Sequence, residues 1–324
     1  KEKSQGRDGK SGVLTKAQLE EFAYNSRAVQ CGGCGAHCNL TIIRFNDGRR
    51  FTSGNRCEKG AGIKITDRTE NMIEYKYNKI LSYADNKPAK PIAKVGLPLA
   101  LSYYDLMPFF STLLTSLGFE VVLSEESTRD TYYKGQQTYP AKLCHGHIES
   151  LLDKGVDFIF YPCMSYNADE GQSDNHYNCP VVAYYPELLK ANNDKLNDDN
   201  FIMPYLDINI KKHVAKAMAR ALSKYNITAK QVLGVLNKAY SEQVRYHRDI
   251  EAKAQEIIAE ARAKGQKIIV LAGRPYHIDP EINHGIHKLI ASLGFAVITE
   301  DSVAMKVDTP ALDVLNQWTY HSRL

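Results

Sequence analysis

Hydrophobic residues recur along this chain with two periods, and the places where the period changes divide it into parts. From residue 92 onward, short apolar runs alternate with segments of helical period. Residues 93–97 form an apolar run, 104–117 carry the helical pattern, Gly118 is placed as a C-cap, and 119–123 are apolar again. The pattern repeats with a helix over 143–154 stopped by Gly155, a fully apolar run over 156–161 (VDFIFY) and another over 179–184. Short apolar strands alternating with helices predict a parallel sheet in a doubly wound α/β layer. Residues 187–206 are rich in Asn and Asp and read as a long loop. Residues 210–224 and 228–264 read as helices, the second opened by Thr228 as N-cap and ended at Gly265. A strand over 267–272 then restarts the α/β texture.

Upstream of residue 92 the pattern is different. Residues 1–12 are polar and Gly-rich. Residues 15–29 place Leu19, Phe22 and Ala23 on one helical face, and 63–92 form a polar connector. Between them, 40–45 and 49–52 read as the strands of a hairpin turned by Asn46-Asp47-Gly48. The predicted organisation is a helix plus Cys-rich hairpin unit with linker (1–87), a first α/β subdomain (88–206), a helical connector (207–265) and the start of a second α/β subdomain (266–324). The stretches from Val95 and from Val270 share one layout: strand, Gly-Pro-bearing turn, helix, Ser-Leu-Gly-Phe, and a strand ending in acids. Either a duplication or the common form of any βαβ start accounts for that echo.

Composition narrows the class. The chain has 324 residues, a formal net charge of +4, 44% hydrophobic and 24% charged residues, values that suit a globular protein of two or three domains. No polybasic run points to nucleic acid, and no apolar run approaches membrane-span length. The chain lacks an initiator Met and reads as part of a longer protein. Seven cysteines in a chain this long favour reduced cytoplasmic thiols over a disulfide framework.

Four of those cysteines, Cys31, Cys34, Cys38 and Cys57, form C-x2-C-x3-C followed by the hairpin and the fourth. A hairpin brings its ends together, so four thiolates can converge on Zn²⁺ or an iron–sulfur cluster. Closed by four protein ligands, such a site is structural or an outer-sphere relay. Cys163 follows the strand predicted over 156–161 and stands where open α/β sheets bind ligands. Cys179 precedes another apolar run, and His176 lies in the loop between these two cysteines. Cys144, His145 and His147 crowd a helix start, where His145 and His147 face different ways. Arg274 tops the strand predicted over 267–272, placed to meet a phosphate or carboxylate or to pair with Asp279 or Glu281. No G-x-G-x-x-G, complete Walker A, G-x-S-x-G or H-E-x-x-H occurs.

Together, CGGC…C…SGNRCEKG, YPAKLCHGHI, KGVDFIFYPC, DNHYNCP, LAGRPYHIDPEINHGI and QWTYHSRL resemble the C-terminal half of the large activase-related proteins of the 2-hydroxyacyl-CoA dehydratase/benzoyl-CoA reductase group. The resemblance covers residues 28–324. It implies flavodoxin-like or Rossmann-like subdomains, an anaerobe's cytoplasm and an iron–sulfur module, [4Fe–4S] or double-cubane, for low-potential electron transfer. It also implies ATP on an actin/hexokinase-superfold ATPase, upstream in the same chain or on a partner, and a CoA-ester substrate or dehydratase as further partner. A homodimer is compatible with it. Cys163 and Cys179 match cysteines of its motifs and would ligate the cluster, with Cys144 as the substitute for a further ligand; His176 and Arg274 stand nearby as groups to tune it or bind an anion. Thr138 stands where the family pattern places a cysteine. The competing expectation is a non-redox scaffold carrying a structural zinc ribbon.

Overall fold

A computed structural model describes residues 15–32, 37–55, 60, 62, 71–128, 139–171, 173–304 and 317–320. The chain divides into two compact units, Lys1–Ile65 and Thr66–Leu324.

In the first unit, a short helix α1 (Lys16–Glu20) precedes strands β1 (Tyr24–Gln30), β2 (Asn39–Phe45) and β3 (Arg50–Ser53). The strands form an antiparallel sheet in the order β1-β2-β3. The helix expected over 15–29 is therefore confined to its first third. Tyr24–Gln30 pairs residue by residue with β2, and a cross-strand ladder outcompetes weak helical periodicity in a segment with so few helix formers. The turn after β2 is the expected one, with Gly48 at φ 84.

The second unit opens with helix α2 (Met72–Leu81), within the stretch read as a polar connector. Its Tyr, Lys and Asn residues mask an apolar stripe of Met72, Ile73, Tyr77 and Ile80, all buried. Asn71 caps it by accepting from the Glu74 amide at 3.0 Å. Strand β4 (Lys94–Leu97), helix α3 (Tyr103–Ser116), strand β5 (Glu120–Leu123), helix α4 (Tyr139–Asp153) and strand β6 (Phe158–Phe160) follow as the periodicity predicts.

The next element differs. Residues 180–191, expected to begin as a strand, form helix α5 (Pro180–Ala191), and the fourth strand is β7 (Phe201–Ile202), inside the expected loop. Pro180 at the first helical position is preset for the helix, and Ala183, Pro186 and Leu189 recur on its buried face. The sheet is parallel throughout, in the order β5-β4-β6-β7.

Helices α6 (Lys211–Ala221) and α7 (Ala229–Ala263) follow, and α7 packs against α3 and α6. Strands β8 (Ile268–Leu271) and β9 (Ala296–Thr299) pair in parallel, joined through the short helices α8 (Pro280–Asn283) and α9 (Ile286–Ser292). The echo between the two stretches is visible in three dimensions. β4 pairs with β5 as β8 pairs with β9, and Gly118 and Gly294 hold the same left-handed turn at φ 99 and 87. Aromatic side chains, among them Tyr103, Phe109, Phe110, Phe119 and Phe158, fill the core between the first sheet and its helices.

Candidate functional site

Strand pairing brings Cys31 and Cys38 of the first unit together. Gln30 of β1 stands opposite Asn39 of β2, and one step further the Cys31 amide donates to the Cys38 carbonyl at 2.8 Å. These two cysteines thus face each other at the open end of the β1–β2 pair. Strand β3 returns to the same end. Gly54 follows it at φ 78, where an added Cβ would lie 2.2 Å from the Asn39 carbonyl oxygen, so only glycine fits. The chain is therefore beside Asn39, the neighbour of Cys38, just before it reaches Cys57. Cys38 is buried and Cys31 partly exposed. Cys34 and Cys57, like Thr138, lie outside the described residues. Among the described residues no three metal-ligating side chains cluster. The donor set itself is all thiol, and the two cysteines that are described stand on adjacent strands at one end. Both features suit a soft, tetrahedral site.

The cysteines of the second unit occupy three different surroundings. Cys163 extends β6 toward β7: its amide donates to Pro204 and its carbonyl accepts from Leu206, each at 2.9 Å. It is 1% exposed, and burial with the nearby Glu187 carboxylate pushes its thiol up to about 12. Cys144 lies in α4, fully buried, with its Sγ 3.9 Å from the Tyr161 hydroxyl. Desolvation pushes it up to about 12 as well. Cys179 is exposed and stands at the N-cap position of α5 without a side-chain capping bond. The Met164 amide donates to Ala183 and the Asn178 amide to Ser165, so residues 163–165 run alongside α5. Cys163 lies beside Glu187, while Cys179 heads the helix two turns away, roughly 12 Å at 1.5 Å per residue. His176 packs at a tilt against Tyr166, with ring centroids 5.3 Å apart, and its Nε2 is 3.3 Å from Asn209 Nδ2.

Several of the motif segments meet beyond the carboxyl ends of the strands. The Tyr177 amide donates to Gln317, the Thr319 amide donates to Tyr177, and Arg274 Nη1 donates to the Thr319 carbonyl at 3.0 Å. Asn167 Nδ2 donates to the Tyr320 hydroxyl at 2.6 Å, which donates on to Asp105 at 3.0 Å. Burial raises the Tyr276 titration, the Arg274 guanidinium opposes that rise, and Cys179 adds a smaller one. Arg274 thus ties the β8 loop to the 317–320 segment.

A second network joins residues that no sequence motif links. His147 lies between two serines, with Nδ1 2.9 Å from Ser124 Oγ and Nε2 2.9 Å from Ser127 Oγ. Ser127 donates to Asp279 Oδ2 at 2.5 Å, and Tyr104 donates to the same oxygen at 2.6 Å. Since the Ser127 proton goes to Asp279, His147 donates from Nε2 and accepts at Nδ1 from Ser124, whose oxygen accepts the Leu99 amide. Burial lowers the His147 pKa to about 4 and raises that of Asp279 against the pull of its donors. His145, two residues away, faces elsewhere and packs edge-on against Tyr185. The one available signal was the repeated small-acid pattern closing each second strand, Ser124-Glu-Glu-Ser127 and Glu300-Asp301-Ser302.

Beside these networks, where β8 and β9 end, lies a cavity of about 270 Å³ reaching to α2. Lys76 of α2 borders it and pairs with Asp301 at 2.6 Å, both side chains buried. No helix among the described residues is long and apolar enough to cross a membrane.

No curated protein and no solved structure shows significant similarity to the chain. A family model described as the CoA enzyme activase uncharacterised domain matches residues 94–303. That span runs from β4 past β9 and contains the strand ends, Cys163, Cys179, the buried network and all of the cavity's lining except Ile73 and Lys76 of α2. It covers well over half of the sequence, and the chain belongs to the CoA enzyme activase uncharacterised domain family.

Proposed function

We propose that the chain is the iron–sulfur module of an ATP-dependent, low-potential electron-transfer system related to 2-hydroxyacyl-CoA dehydratase activation. ATP would be bound on an actin/hexokinase-superfold domain of the same protein or of a partner. The observation that carries this reading is the rung between Cys31 and Cys38, with β3 returning to Asn39 just before Cys57. It supports convergence of Cys31, Cys34, Cys38 and Cys57 on one centre. Bound there, a cluster supplies one-electron chemistry at low potential. The protein's own contribution would be to hold thiolates at a strand-paired edge and to shield Cys38 from water. In the second unit Cys179 is the accessible thiol, with Arg274 and His176 on neighbouring loops as groups for an anionic partner or for tuning. Family membership supports the link to CoA-ester activation.

Anaerobic purification with iron, sulfide and zinc analysis tests this. Iron and acid-labile sulfide in near-equal amounts, lost in Cys38→Ser, are expected. A colourless protein holding one zinc and no iron overturns it.

A second reading, a non-redox scaffold with structural zinc in the first unit, is favoured by the settings of Cys144 and Cys163. Both thiols are buried, held toward the protonated form and surrounded by packing residues. Cys38→Ser separates the two. Loss of visible absorbance together with iron supports the redox role, and loss of one zinc from a colourless protein supports the scaffold.

A further inference from the structure

The two α/β repeats share a layout and differ in what covers them. In the first, β4 lies inside its sheet, with β5 on one side and β6 on the other. In the second, β9 takes the place of β5, and among the described residues no strand stands where β6 would. Lys94 pairs with Glu120 as Ile268 pairs with Ala296, so Val95 and Gly96 of β4 correspond to Ile269 and Val270 of β8. Val95 and Gly96 pair with Phe158 and Ile159 of β6 and are buried. Ile269 is partly exposed and Val270 is 47% exposed.

Gly118 and Gly294 align the segments between the strands. Phe110, Leu113 and Leu117, on α3 and its C-cap, are 1%, 0% and 8% exposed. Their counterparts Ile286, Leu289 and Leu293, on α9 and its C-cap, are 47%, 51% and 66% exposed. Part of the cover in the first repeat is β6 itself. The Phe110 ring lies 5.8 Å from that of Phe160, and Phe119 meets Phe158 edge-on at 5.5 Å. The matching positions in the second repeat are Ile286 and the partly buried Phe295. Parallel strands are normally covered on both faces. An edge left open is usually blunted by charge or proline, and β8, Ile-Ile-Val-Leu, has neither.

We propose that the open edge of β8 is a docking site for a strand of a partner polypeptide, added parallel to β8 and carrying bulky apolar side chains at alternate positions toward Ile286 and Phe295. β6 is the template, because Phe158 and Phe160, two residues apart, project from one side of their strand. Main-chain hydrogen bonds to the edge supply affinity, and the alternate side chains supply specificity. A charged residue on that side would be buried without a partner, so the docking strand is uncharged there. A second copy of the chain does not meet these terms. A twofold contact sets β8 against β8 antiparallel, whereas the repeat leaves a parallel slot.

Fluorescence anisotropy of the full chain with a labelled, lysine-flanked peptide of residues 156–161 (VDFIFY) tests it. Saturable binding with a Kd below about 1 mM is expected, weakened about tenfold or more by Phe158→Ser with Phe160→Ser in the peptide. Val270→Lys blunts the edge from a half-exposed position and should weaken binding by a similar factor without lowering the melting temperature. A photo-crosslinker at the carboxyl end of the peptide should label residues 271–274, and one at its amino end residues 266–268. The peptide substitutions leave the protein untouched and decide the matter should the chain variant unfold. Absence of saturation by about 1 mM overturns the proposal, as do undiminished binding of the substituted peptide and the reversed order of labelling. A dimer seen in sedimentation and dissolved by Val270→Lys assigns the edge to a second copy and likewise overturns it. None of these readouts depends on metal in the first unit.

Discussion

At the residue scale, solvent access and proton affinity sort the body's cysteines. Cys179 is exposed at a helix N-terminus, whereas Cys144 and Cys163 are buried and held in the thiol form well above neutral pH. Iodoacetamide at pH 8 should therefore label Cys179 in the native second unit and label Cys144 and Cys163 only after denaturation, as peptide mass mapping would show. Equal labelling of all three without denaturant would contradict the packing. The buried histidines make a second prediction. His147 and His287 are both lowered to about 4 by burial. The folded state keeps them neutral while the unfolded chain takes up protons below about 6.5, so stability falls as pH drops from about 6.5 toward 4. Asp279 acts in the opposite sense, because its raised affinity favours the folded state at low pH. Two histidines against one carboxyl should lower the melting temperature by roughly 5 °C or more between pH 6.5 and 4.5. His287→Asn should flatten that slope, and an unchanged slope would assign the loss elsewhere.

At the element scale, the helices with caps and sustained periodicity follow the sequence closely. Thr228 both accepts from the Gln231 amide and presents its own amide to the Gln231 side chain, opening the 35-residue α7. Thr228→Ala should cost about 1 kcal/mol, read as a small downward shift of the chemical-denaturation midpoint with unchanged slope. No shift would mean that packing against α3 alone fixes the start of this helix. The elements that departed from expectation are those with ambiguous local signals. Residues 24–30 and 179–184 are short and mixed in period. The partner strand β2 decides the first, and Pro180 with the buried face of α5 decides the second. β7 is two residues long and exists because β6 offers it an edge, which no local pattern could announce.

At the scale of the whole molecule, the chain is two units that each close their own hydrogen-bonded sheets. The portion from residue 66 onward contains α2, both parallel sheets and the buried core. Expressed alone, it should retain a cooperative melt and the near-ultraviolet signal of its packed aromatics, while the metal content of the full chain should be absent from it. A non-cooperative melt would show that the first unit is needed to complete the body. Within that body, α2 and the turn after β9 come together through the buried Lys76–Asp301 pair. Breaking one partner of such a pair is costly, because the other charge is left unpaired.

The amino-acid sequence by itself determined the α/β class, most strands and helices of the second unit, the thiol-rich motif of the first and the family. All of these rest on local periodicity, capping and motif spacing, which need no knowledge of what lies across space. Tertiary structure alone decided that Lys76, in an apparently polar connector, is buried against Asp301, that His147 reaches Asp279 through Ser127, and that Arg274 meets Thr319. Each of these joins residues far apart in the chain. A buried polar group is stable only where its partner is supplied, and that partner is fixed by the packing of distant elements rather than by its neighbours in sequence.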